Sequence, residues 1–143
     1  MTQPPERFRP LPPEVSAYLD RLRAFVSQLA GKLFPEAHLS RERSDLLILQ
    51  RVIDANVLRP DQTLALQALG VAFGDALADM IDGLAWCEVT DEFGTDPTLR
   101  FRETSFQVNA MTMISKRIES GKPVDLEKLA AQTAATLSDF QRA

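Results

Sequence analysis

The chain has 143 residues, 45% hydrophobic and 25% charged, an ordinary globular balance at a length that suits one cooperative core. Its net charge is -4 and its Lys and Arg are scattered singly and in pairs, so no basic stripe exists to neutralise several phosphates, and nucleic acid is excluded as an expected partner. No run reaches the roughly eighteen apolar residues of a membrane span and the opening "MTQPPERFRPLPPEV" has no apolar stretch after its charges, so the expectation is a soluble, cytoplasmic protein without a membrane partner.

Residues 1–12 hold four of the nine prolines, which cannot sustain helical hydrogen bonding, and are expected to form an extended arm ahead of one domain over 13–143. A first helix should open at Pro13: Val15, Tyr18, Leu19, Leu22, Phe25, Val26, Leu29 and Leu33 recur at three- and four-residue steps until Pro35 stops it. Ser40 is the expected N-cap of a second helix carrying Leu46, Leu47, Leu49, Val52 and Ile53, which "RPD" at 59–61 ends. The third helix, within "DQTLALQALGVAFGDALADMIDG", has a stripe through Leu66, Leu69, Phe73, Leu77, Met80 and Ile81, and Gly83 supplies the left-handed residue that closes it. Gly70 and Gly74 lie four apart in that helix, a spacing that lets another element approach the backbone closely.

After Gly83 the period falls to two. Residues 84–90, 98–103 and 105–109 read as three short strands, with Cys87, Val89, Leu99, Phe101, Phe106 and Val108 expected to face the helices. Trp86, Glu88, Arg100, Arg102 and Gln107 would then share the opposite face. Cys87, the one cysteine, cannot form an internal disulfide and reads as a small apolar strand residue. Asn109 is the expected cap of a fourth helix ending at Gly121, and Asp125 that of a fifth with Leu126, Leu129, Ala130, Thr133, Leu137 and Phe140 on one stripe. The predicted class is α+β: a small three-stranded antiparallel sheet packed on one face by about five helices.

Chemistry is tested most sharply at "WCEVTDEFGTDPTLRFRETS", residues 86–105. With Gly94 at the sixth position of a calcium-binding EF-hand loop, Val89, Phe93 and Arg100 fall where oxygen ligands are required, so that pattern fails. Asp91, Glu92 and Asp96 read instead as the soluble acidic tip of a hairpin. The only histidine, His38, has no nearby Cys or second His for a metal site, and no phosphate-binding glycine loop or nucleophile elbow occurs. Neither a metal nor a cofactor is expected. The absence of a catalytic signature favours a non-catalytic role over an enzyme.

Three segments together, "LGVAFGD" at 69–75, residues 86–105, and "MTMISKRIESGKPVDLEKL" at 111–129, resemble an uncharacterised proteobacterial family, a domain of unknown function. The resemblance covers roughly the C-terminal two-thirds and implies identity of domain, not an activity. It singles out Gly70, Gly74, Trp86, Asp91, Glu92, Gly94, Asp96, Lys116 and Arg117 as motif positions. The family pattern opens the fourth helix with a proline after an apolar residue, where this chain has Asn109 and Ala110. Lys116 and Arg117 suit the last turn of that helix, or could pair with the acidic tip.

Two functions of different class follow as expectations. One is a small module that binds another protein, regulatory or of the toxin-neutralising immunity kind, through Trp86, Glu88, Arg100, Arg102 and Gln107 or through the hairpin tip; pairing of two copies is a variant of it. The other is a ligand-binding or enzymatic domain with a polar pocket where sheet meets helices, using Glu88, Asp91 and Arg100. An exposed Trp86 on a flat sheet face would favour the first, and a polar pocket at the junction the second.

Overall fold

The computed structural model describes residues 6–143. Four strands, β1 (Arg7–Arg9), β2 (Leu84–Asp91), β3 (Gly94–Phe101) and β4 (Gln107–Val108), form one antiparallel sheet in the order β1-β2-β3-β4. Five helices complete the α+β architecture: α1 (Pro13–Leu33), α2 (Asp45–Asp54), α3 (Thr63–Met80), α4 (Ala110–Glu119) and α5 (Leu126–Arg142).

The three-stranded expectation is corrected to four strands, because the arm is not left in solvent. Its residues 7–9 add to the open edge of β2, opposite Thr90, Val89 and Glu88. Prolines at 10, 12 and 13 lack the N–H a ladder needs, which stops β1 at three residues and hands the chain straight to α1. Residues 1–5 of the expected arm lie outside the described residues.

At the centre is α3, whose residues from Leu66 to Leu77 are almost all buried, with α1, α2 and α4 packed around it and β2 behind it. Gly70 permits this. A Cβ there would stand 2.3 Å from the Met111 carbonyl oxygen, so the start of α4 lies directly on the α3 backbone. Gly83 has φ +92 and turns the chain from α3 into β2 within three residues.

Two helix caps differ from expectation. Ser40 caps nothing; α2 starts five residues later, and the buried Asp45 carboxylate accepts the Ser40 and Arg41 backbone N–H groups at 3.1 and 2.8 Å, tying the incoming loop to the helix's first turn. Asn109 gives α4 no side-chain cap, because its Oδ1 accepts the Thr98 hydroxyl at 2.9 Å. Asp125 does cap α5, accepting the Lys128 N–H at 3.1 Å.

The hairpin is longer than the sequence indicated. Asp91 stands opposite Gly94, leaving Glu92 and Phe93 as the turn; Gly94 has φ +123, and the Asp91 carboxylate accepts the Phe93 N–H at 2.8 Å. Residues 94–97, expected in the tip, are therefore strand. Pro97 is accommodated because β4 is too short to reach it, so no ladder partner is denied an N–H.

Candidate functional site

Register sorts the expected surface onto two sides of the sheet. Trp86 lies opposite Leu99 and Leu84 opposite Phe101, so Leu84, Trp86, Glu88, Leu99 and Phe101 share the face turned to the helices. Cys87, opposite Thr98, lies on the other face with Val89, Ala85 and Arg100. The expected facing of β2 is thus inverted, while that of Leu99, Phe101 and Val108 on the neighbouring strands agrees with the structure. Trp86 and Glu88 do not join Arg100 and Gln107.

Trp86 is half-buried on α3. A Cβ on Gly74 would fall 2.5 Å from its Cζ2, so the second glycine of the helix exists to admit the indole. The indole Nε1–H donates to Asp75 Oδ1 at 3.0 Å. Arg23 of α1 grips the same carboxylate in a fork, Nε to Oδ2 at 2.7 Å and Nη2 to Oδ1 at 2.9 Å, and Arg41, held at φ +61, brings its Nη2 to 3.5 Å. Burial alone would lower the Arg23 pKa, but the hydrogen bond and charge of Asp75 outweigh it and hold the guanidinium above its usual range. Asp75 is 4% exposed; its three donated hydrogen bonds come from α1 and β2, and the Arg41 charge from the loop before α2. This knot locks helix to helix to sheet.

On the far face, Arg100 stacks its guanidinium 4.0 Å from the Phe8 ring of β1 and donates from Nε to the Thr104 carbonyl at 2.7 Å. Gln107 donates to Glu6 at 3.1 Å. Both are thus engaged by the chain's own N-terminal segment. Arg102 lies beyond the strand at φ +48, its Nη2 3.8 Å from Asp82. Burial pushes the Cys87 thiol pKa up, against a smaller opposing pull from the Arg100 charge, and so favours the protonated thiol.

The helix-facing side opens near the hairpin into a cleft of about 550 Å³ between β2, β3, α1, α3 and α4. Tyr18, Gln67, Glu88, Asp96, Thr112 and Lys116 present polar groups to it, with Asp91 and Phe93 at the hairpin end. Glu88 is 4% exposed, and Arg9 of β1 donates to its Oε1. Lys116 lines this cleft, whereas Arg117 turns away and donates to the Pro123 carbonyl at 2.9 Å. Among the described residues, the ion pairs within 4.0 Å do not include either of them, so the expected pairing with the acidic tip does not form. The tip places Asp91 and the exposed Asp96 along the cleft and Glu92 in solvent, with Phe93 86% exposed at the rim.

Sequence reasoning missed Asp75, Arg23 and Arg9. "FGD" is visible as a motif, and the signal available for its carboxylate is an acidic residue on the apolar face of a helix beside a small one.

These features define a mixed α+β domain with a central glycine-notched helix and a polar cleft at the sheet-helix junction. The chain belongs to a family described as Domain of unknown function (DUF3806), whose model matches residues 45–129, more than half of its length. A crystal structure of a protein from Bacteroides thetaiotaomicron VPI-5482 is similar to it with a TM-score of 0.80 and 18% identity, over 94% of this chain and 48% of that one. At such identity the likeness speaks of the fold, and this chain spans about half the length of that protein. No curated protein matches it significantly.

Proposed function

We propose that this domain is a non-catalytic, cytoplasmic bacterial module that binds a small polar ligand in the cleft between the hairpin and the helices. One observation carries the reading. A carboxylate only 4% exposed, Glu88, lines a cleft of about 550 Å³ together with hydroxyl, amide and ammonium groups of α1, α3 and α4. Convergence of a few polar groups in a concavity of that size is the usual anatomy of a ligand site. Trp86, the anchor of a sheet-face interface, is committed to Asp75 and Gly74 instead.

The test is thermal unfolding against a panel of small polar metabolites at millimolar concentration, repeated with Lys116→Ala and Thr112→Ala. A true ligand at about a hundred times its Kd stabilises by roughly 2.7 kcal/mol, and both substitutions should cut that shift. A panel without any stabiliser, or a stabiliser indifferent to both substitutions, would remove the proposal.

A second reading, a protein-binding module, rests on Phe93, 86% exposed at an acidic hairpin tip. An aromatic held out in solvent beside Glu92 and Asp96 is a natural anchor for another protein or a second copy. A photo-crosslinker at position 93 that captures nothing in lysate or between copies would dismiss it.

A further inference from the structure

The contacts of β1 describe a peptide-recognition site that the chain itself fills. Adjacent residues of an extended segment point to opposite faces, and the edge of β2 reads both. Val89 pairs with Phe8, whose ring stacks 4.0 Å from the Arg100 guanidinium on one face; Glu88 pairs with Arg9, whose guanidinium Nε donates to Glu88 on the other. Glu88 and Val89 are each 4% exposed beneath this cover.

The cover is lightly held. It is three residues long, at the edge of the sheet, bounded by Pro10, with Arg7 and Arg9 exposed and the Arg9 side chain at 64%. An ion pair with one partner that exposed adds little stability. The site beneath is specific while its present occupant is weakly retained.

We propose that the β2 edge docks an extended segment of a partner protein carrying an aromatic residue followed by arginine, with β1 as the intramolecular occupant that such a segment displaces. The ladder with β2 supplies affinity, and Arg100 and Glu88 supply the aromatic-arginine selectivity. This site is separate from the ligand reading of the cleft, although Glu88 borders both.

The test uses a fluorescent peptide with this chain's residues 6–12, Glu-Arg-Phe-Arg-Pro-Leu-Pro, and the full-length protein in three forms. Phe8→Ala/Arg9→Ala loosens the internal occupant, so peptide binding should tighten about tenfold or more over wild type, as removal of a competing closed state requires. Adding Glu88→Gln to that variant should cost at least the same factor. A folded Phe8→Ala/Arg9→Ala variant that binds no better than wild type, or that binds equally a peptide with alanine at the Phe and second Arg positions, overturns the proposal. Should that variant not fold, hydrogen exchange on wild type decides: β1 amides exchanging far faster than those of α3 support displacement, and β1 amides exchanging only with global unfolding refute it. Concentration-dependent dimers that vanish in the Phe8→Ala/Arg9→Ala variant would show that the occupant is the arm of a second copy, and would overturn the partner in favour of arm exchange.

Discussion

Asp75 and Glu88 are both carboxylates 4% exposed on the same side of the sheet, yet they are held in opposite ways. Asp75 has donors on two rigid elements, Arg23 of α1 and Trp86 of β2, and a bidentate grip. Glu88 has one guanidinium, delivered by a three-residue strand, and borders open cleft. Equal burial therefore does not mean equal role. A carboxylate saturated from within fixed elements is architecture, whereas one answered by a detachable segment at a cavity is where exchange of partners costs little.

Breaking the first carboxylate should have the largest effect. Asp75→Ala leaves the Arg23 guanidinium and the Trp86 N–H without their acceptor, and unfolding by urea should show a loss of about 3–5 kcal/mol. Trp86→Phe keeps the ring in the Gly74 notch and removes only the donor, for a loss of about 1–2 kcal/mol in the same assay.

Gly70→Ala tests the backbone contact on which the knot sits. The new methyl would meet the Met111 carbonyl at 2.3 Å, and overpacking against backbone should cost about 1–3 kcal/mol. Gly31→Ala is its control, because nothing lies within 4 Å of a Cβ there; a helix-interior glycine replaced by alanine should gain roughly 0.5–1 kcal/mol. A loss of stability for both would mean that α1 and α3 are not packed as described.

Glu88→Gln sharpens the contrast from the other side. With Arg9 largely in water, the stability change should stay under about 1 kcal/mol in either direction, so a value near that of Asp75→Ala would erase the distinction. The smallest effect is at Cys87. Its raised thiol pKa keeps the folded form protonated, so alkylation at mildly alkaline pH should run slower in the folded than in the urea-unfolded chain. By linkage the folded state then binds the extra proton once pH exceeds the unfolded thiol pKa, and stability falls as pH rises through that window.

The family match spans 45–129, which holds Gly70, Asp75, Trp86, the hairpin and Lys116, while Arg9, Tyr18 and Arg23 come from residues before it. Asp75 and Glu88, two of the three buried carboxylates in the matched segment, thus draw their arginines from the N-terminal elements. A peptide covering 45–129 alone would expose both.

What the sequence by itself determined is the order and kind of nearly every element. Five helices were legible because their stripes repeat over three and four residues within one segment, as in Leu66, Leu69, Phe73 and Leu77, and the close approach at Gly70 and Gly74 was legible because only glycine leaves such space. What tertiary structure alone decided is which way the strands face and what the arm does. A turn of Glu92 and Phe93 puts Trp86 opposite Leu99, and a register one residue different would have reversed its side. The fourth strand arises from a pairing between Arg9 and Glu88, 79 residues apart, and three residues between prolines carry no period from which to read it. Helical periodicity is a local property of the chain, whereas strand register and edge pairing depend on partners that only folding brings into reach.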